Sequence, residues 1–291
     1  MNICLNASEL AVITGHNPYK EPEEIIGKIW RKYYPADFSA CSAKYKAETG
    51  VENLVDENAK QTIHRLAPEV ADELAKCLKT NTVGDLAKQK KAILAKCDTI
   101  AKTPEERKLI RECVQQVTNT TFGIRHENSA IAEYEKLTGN TVQIMTRYIT
   151  KALYNTKNAR WSVGGKIDGF VADANGDANV DASGDAGIDD IGAIIEVKNR
   201  VNRLFYKLRD YEKIQTYTYM HIHDVTKAKL VECLKAQGEI IINVIDVEYD
   251  EEFWKTSIDS KIRAFIKRFD KLMKNEKAKI ALIGELFGPH T

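Results

Sequence analysis

Lys166-Ile-Asp-Gly-Phe170 and Ala193-Ile-Ile-Glu-Val-Lys198 decide how this chain is read. Both are short apolar runs that carry charge where a buried strand should carry none. Side chains along a strand alternate between its two faces. Glu196 and Lys198 therefore share one face, while Ile195 and Val197 share the other. A carboxylate and an ammonium projecting together from an apolar strand each need a partner or a metal, because burying either alone is costly. Asp168 stands near the end of the first run. Gly164 and Gly165 before it, and Gly169 after it, allow another backbone to come close.

Working outward, residues 122–137 read as a helix that stops at Gly139. On it Ile124, Glu127, Ile131 and Tyr134 fall in one line, so Glu127 interrupts an apolar stripe. Residues 141–154 are rich in Val, Ile, Thr and Tyr and read as a strand. Residues 160–171 form a second strand, broken at Gly164-Gly165, and residues 193–198 a third. A helix over 204–221 follows, with Leu208, Tyr211, Gln215, Thr218 and Ile222 on one line and Gln215 at its middle. Residues 239–249 form a fourth strand. The core order expected is α-β-β-β-α-β.

At the N-terminal side two short helices are expected. Ser8 caps the first and Gly15 ends it, whereas Pro22 opens the second and Pro35 stops it. Residues 50–118 read as entirely helical, with Thr103-Pro-Glu-Glu106 as a capping box. At the C-terminal side, residues 257–275 predict an amphipathic helix with Ile258, Ile262, Phe265, Phe269 and Leu272 on one stripe. Residues 1–118, 119–250 and 251–291 are taken as the helical portion, the core and the tail of one domain.

The 291 residues are ample for a sizeable core, and 43% hydrophobic with 29% charged residues is ordinary for a soluble globular protein. The net charge of +1 conceals local imbalance. Residues 255–279 hold nine Lys or Arg against three acids, and residues 173–190 hold six Asp and no base. The acidic stretch lacks the Gly and final Glu of a calcium-binding EF-hand and reads as a solvated loop. The six cysteines are too scattered for a zinc motif or an iron–sulfur cluster and fit reduced intracellular thiols. Neither a signal peptide nor an apolar run of membrane-spanning length is present, so a soluble intracellular protein is expected, without a membrane partner.

Taken singly, Glu196 with Lys198 could be an edge-strand ion pair, Asp168-Gly169 a turn, Glu127 a partner of a nearby arginine and Gln215 a satisfied core amide. Their order along the chain points instead to a single chemistry, phosphodiester hydrolysis. Carboxylates bind Mg²⁺, a hard cation that prefers oxygen. The metal polarises the phosphate and acidifies a bound water, and a lysine beside it orients that water or stabilises transition-state charge.

Gly-Lys-Ile-Asp168-Gly followed by Glu196-Val-Lys198 resembles the PD-(D/E)XK nuclease signature. Further matches resemble the lambda exonuclease, or YqaJ viral recombinase, branch of that superfamily. They are Gly123-Ile-Arg-His-Glu127 leading to Gly139, Gln215 with Met220, and Ala7-Ser8-Glu9 with Gly15-His-Asn-Pro-Tyr-Lys20. The resemblance implies an α/β, restriction-endonuclease-like fold with a mixed central sheet flanked by helices. It implies that Asp168, Glu196 and the Val197 carbonyl bind Mg²⁺, for which Mn²⁺ would substitute, with Glu127 on the same or a second ion. Lys198 and Gln215 would serve the attacking water and the scissile phosphate, and Ser8 the 5′-phosphate end. The family places an arginine upstream of that serine, whereas residues 1–7 contain no basic residue. Arg125, Arg200, Arg203, Lys207 and Arg209 are candidates for contacts to the DNA backbone. The expected activity is 5′→3′ exonucleolytic digestion of linear double-stranded DNA in recombination or repair, by a homo-oligomer, with a single-strand annealing protein as a candidate partner. Two rivals stay open, an endonuclease of the same fold and an inactive DNA-binding recombination partner.

Overall fold

The computed structural model describes residues 1–51, 58–173, 191–236 and 239–288. It begins with strand β1 (Asn2–Asn6), where the sequence suggested only a lead-in to a helix. Ile3 and Leu5 are fully buried and alternate with polar neighbours, which suits a strand packed on one face. A single 3-10 turn leads into the short helix α1 (Leu10–Ile13). Helices α2 (Pro22–Tyr33) and α3 (Pro35–Thr49) follow. Pro35 does not merely stop α2. It occupies the first turn of α3, where its missing N–H costs nothing.

Helices α4 (Ala59–Leu66), α5 (Ala71–Cys77) and α6 (Val83–Ile100) form the expected helical portion. They pack on the first half of α7 (Pro104–Thr138) around a separate apolar core that includes Ile63, Leu86, Ile93, Ile110 and Val114. The 35-residue α7 is one continuous helix, where the sequence suggested two elements with a boundary near residue 118. Thr103 caps its start by accepting from Glu106 N (3.1 Å), and Gly139 ends it at φ +73°.

Among the described residues the strands make two sheets. In the first, β3 (Arg160–Gly165) lies between β1, parallel to it, and β2 (Ile149–Asn155), antiparallel. In the second, the order is β4 (Gly169–Ala172), β5 (Ile191–Arg200), β6 (Lys227–Ala236), β7 (Glu239–Glu248). Here β5 and β6 are parallel and the outer pairs antiparallel, so the sheet is mixed. The expected strand over 160–171 is thus two strands in different sheets, and Asp168 stands at the crossing. The expected strand over 141–154 is β2 preceded by an isolated bridge, Gln143 to Phe170. Strand β6 went unforeseen. Its Lys, Ala, Leu and Glu favour a helix, but its place between two other strands overrides that preference.

Helix α8 (Asp210–His223) covers one face of the second sheet, and the second half of α7 covers the other. Ala130, Ile131 and Tyr134 of α7 meet Ile195, Val197, Val231 and Cys233. The main core joins β1, the first sheet, α8 and the C-terminal helices. These are α9 (Glu251–Phe253), a wide π-helical turn, α10 (Ser260–Leu272) and α11 (Glu276–Phe287). The apolar stripe expected around 257–275 is buried at Ile258, Ile262, Phe265 and Phe269, and α11 adds a helix not anticipated. The loop expected at 172–190 lies, from residue 174 onward, outside the described residues. All six cysteines are free thiols, and five are buried. No helix among the described residues is long and apolar enough to cross a membrane.

Candidate active site

Asp168 and Glu196 meet because of strand register. The β4–β5 ladder pairs Gly169 with Ile195, so the next position sets Asp168 opposite Glu196 on the same side of the sheet. There Asp168 leaves the ladder, and its Oδ2 accepts from Val197 N at 2.8 Å, replacing the backbone partner that β5 would otherwise lack. Gly169 makes this approach possible, since a Cβ there would lie 2.6 Å from Val142 Cγ1 and 2.9 Å from Gln143 O.

Glu196 is 3% exposed. Its Oε1 accepts from Lys198 Nζ at 2.5 Å, while its buried Oε2 has no hydrogen-bond partner. Lys198 Nζ also donates to Gln215 Oε1 (3.2 Å), and Gln215 Nε2 donates to Tyr219 Oη (3.2 Å). Gln215 and Tyr219 are one helical turn apart on α8 and so lie on the same side. Tyr219 lies off the line of Leu208, Tyr211, Gln215, Thr218 and Ile222, and its spacing of four from Gln215 is the sequence signal for it. Gly165 of β3 makes room for it, because a Cβ there would stand 2.5 Å from Tyr219 Cε1.

Glu127 comes from the opposite helix. Asn199 Nδ2 donates to Gly123 O (2.9 Å), which fastens α7 to β5 one turn before Glu127. The stripe proposed for this helix is displaced: Ile124 is 63% exposed, and the buried line runs through His126, Ala130, Ile131 and Tyr134. Glu127 is half-buried and lines a groove of about 500 Å³ with Val197, Lys198, Arg203, Phe205 and Tyr211.

Three carboxylates thus share a partly dehydrated region with Lys198, and exposed Lys166 stands within electrostatic range. Burial pushes the Glu127 carboxyl up to about 7, and the charge of Asp168 adds to the effect, against Lys166 and Lys198. Burial likewise raises Glu196 to about 7. Lys198 opposes that shift, while Asp168 and Glu127 reinforce it. Asp168 is raised by burial as well, despite its bond to Val197 N and the nearby lysines. For Lys198 burial works against the ammonium, but Glu196 outweighs it, and the lysine is held above its ordinary value.

Asp168, Glu196, Lys198 and Gln215 are linked directly or through Val197. Glu127 reaches them through electrostatic range alone. Among the described residues no three Asp, Glu, His or Cys side chains are drawn together tightly enough to enclose a metal ion. The donor set nonetheless fits a hard divalent cation. It is all oxygen, it carries more negative charge than Lys198 balances, and it includes the orphaned Glu196 Oε2.

The other expected residues lie elsewhere. Arg200 is 9% exposed and its guanidinium is engaged by Glu212 (2.6 and 3.0 Å) and Glu232 (2.8 Å), so it is not free for a phosphate. Arg125 donates to Leu78 O, Thr80 O and Asn81 Oδ1, which ties α7 to the segment before α6. Arg203 and Lys207 are exposed close after β5, as a backbone contact requires. Ser8 is exposed in the 3-10 turn, whose N-cap is Asn6 and not Ser8 itself. It lines a different hollow, of about 670 Å³, with Asn17, Lys20, Lys28 and Arg31.

No family model and no curated protein matches the chain. Among solved structures it is similar to an alkaline exonuclease from Laribacter hongkongensis, at 18% identity over 72% of this chain and 97% of that one, with a TM-score of 0.37. It is also similar to a phage related exonuclease from Haemophilus somnus 129PT, at 14% identity over 94% of this chain and 96% of that one, with a TM-score of 0.39.

Proposed function

We propose that this protein is a divalent-metal-dependent deoxyribonuclease that hydrolyses phosphodiester bonds from the ends of linear double-stranded DNA, 5′→3′, within one nuclease domain. The observation that carries the reading is Glu196: a fully buried carboxylate with one oxygen on Lys198 and the other unpartnered, beside two further carboxylates. Restriction to DNA ends, polarity and a role in recombination or repair follow from the motif resemblance, as do homo-oligomerisation and an annealing partner.

Asp168, Glu196 and the Val197 carbonyl would hold Mg²⁺ or Mn²⁺, with Glu127 on the same or a second ion. Bound there, such an ion supplies Lewis acidity toward the phosphate and toward a water. Lys198 presents its remaining N–H donor to the groove, where it orients the attacking water or stabilises charge on the phosphorane-like transition state. Gln215, its amide fixed between Lys198 and Tyr219, keeps that ammonium in place. Val197, Ile195 and the α7 side chains packed on them exclude water from the sheet face behind the carboxylates. Exposed Ser8 and Lys20 border the hollow that we assign to the 5′-phosphate end.

End-labelled linear duplex incubated with and without Mg²⁺ tests this directly. Label is expected to be released only with the metal, and covalently closed circular DNA is expected to stay intact. Cleavage of the circle would shift the assignment to an endonuclease. No hydrolysis with either metal would leave a DNA-binding protein without this activity.

A further inference from the structure

The loop leaving β5 holds a tyrosine in a conformation that packing alone does not explain. Tyr206 has φ +56°, a left-handed backbone that bulky residues avoid, and the residue is 69% exposed. The conformation is imposed from below. Glu232, fully buried on β6, accepts from Phe205 N (3.1 Å) and Tyr206 N (2.9 Å), and is itself held by Arg200 Nε and Asn243 Nδ2. A strained backbone held firmly by its surroundings, with an aromatic ring turned outward, is a feature that functional sites concentrate.

Cations surround the neighbouring ring. The guanidiniums of Arg203 and Arg209 lie 5.5 and 4.5 Å from the centre of Phe205, and Arg209 is also 5.0 Å from that of Tyr211. Neither arginine has a carboxylate partner among the described residues. Phe205, Arg203 and Tyr211 line the same groove as Glu127, Val197 and Lys198. An exposed aromatic residue, Tyr206, beside guanidiniums that rest on rings and carry no carboxylate to neutralise them is the chemistry that grips single-stranded nucleic acid, by base stacking and phosphate pairing.

We infer that residues 203–211 form a preset grip for an unpaired DNA strand at the mouth of the active site. Tyr206 stacks on a base, and Arg203 and Arg209 engage the flanking phosphates. This rests on the nuclease reading and deepens it, since it names the strand state that the site receives.

The test uses the full chain carrying Glu196→Gln, to prevent cleavage, and a single-stranded oligodeoxynucleotide with a fluorescent adenine analogue at one end. The parent is expected to quench the probe. Tyr206→Ala should abolish the quench and weaken binding roughly tenfold or more, whereas Tyr206→Trp should retain both. Arg203→Ala and Arg209→Ala should each flatten the salt dependence of log K by about 0.7. Tyr206→Gly separates binding from folding: glycine accepts the left-handed backbone, so thermal stability should hold or rise while the quench is lost. A probe unquenched by the parent, or equal binding by Tyr206→Ala, overturns the grip. Hydrolysis of linear duplex by the wild-type protein is scored separately, so failure of the nuclease reading is seen in that assay and failure of the grip in this one.

Discussion

Two clusters of charge share one face of β5, only a few residues apart, and they are built on opposite terms. At Arg200 the guanidinium sits between Glu212 and Glu232, and Glu232 also receives Asn243 and two backbone amides. Burial works to raise Glu232, but these donors prevail and hold it below its ordinary range. At Glu196 three carboxylates face Lys198, with exposed Lys166 acting on Glu127 and Asp168, an oxygen is left without a donor, and Glu196 and Glu127 are both pushed up to about 7. Burial alone therefore does not distinguish a structural ion network from a working site. What distinguishes them is whether the buried charge is satisfied. A saturated network holds the fold, whereas an unsatisfied one has capacity for something that arrives from outside.

That contrast can be broken by mutation, and the largest expected effect is on catalysis. Asp168→Asn or Glu196→Gln should lower the rate of duplex hydrolysis at least about a thousandfold, equivalent to about 4 kcal/mol in the barrier. Circular dichroism should show the fold retained. Near-normal turnover by either variant would remove the site assignment.

Arg200→Ala should do the reverse. It leaves Glu212 and Glu232 buried without their cation, at a cost of about 3–5 kcal/mol in denaturant unfolding. A loss below about 1 kcal/mol would mean that this network is not the anchor described.

A smaller effect concerns the metal. Mg²⁺ or Mn²⁺ at about a hundred times its dissociation constant should stabilise the wild-type protein by about 2.7 kcal/mol. The rise in melting temperature should be largely absent in Glu196→Gln. Equal stabilisation of both proteins would place the ion elsewhere.

The smallest expected effect is the pH dependence in the presence of a chelator. Glu196 has a folded value near 7, above its ordinary 4.5. Its contribution is most favourable below about 4.5 and is lost as the pH rises through about 7. The stability of Glu196→Gln relative to wild type should therefore increase over that interval, by on the order of 1–3 kcal/mol. Glu232 is lowered, so its contribution runs the other way, present at neutral pH and lost on acidification. A stability difference independent of pH would contradict the charge surplus at Glu196.

The sequence alone determined the local grammar of the site. Alternation along a strand is a property of the backbone, so Glu196 and Lys198 had to share a face wherever the strand lay. The glycines flanking Asp168 announced a close approach, and Gly169 against Val142 and Gln143 is that approach. Helical spacing set Gln215 on the inward side of α8, and the capping residues Thr103 and Gly139 marked the two ends of α7 although its continuity was missed. Tertiary structure alone decided which of these charges were satisfied. Arg200 looks like a phosphate contact until Glu212 and Glu232 come to it from α8 and β6, the two elements that follow β5 in the chain. Strand β6 could not be read from its own helix-favouring residues, since its hydrogen bonds are made to β5 and β7. The outward Tyr206 likewise depends on a carboxylate 26 positions further along the chain. Periodicity and backbone stereochemistry act over neighbouring residues and can be read from a string of letters. The balance of buried charge is a sum over everything that the fold brings within a few ångströms, and it exists only once the chain has closed on itself.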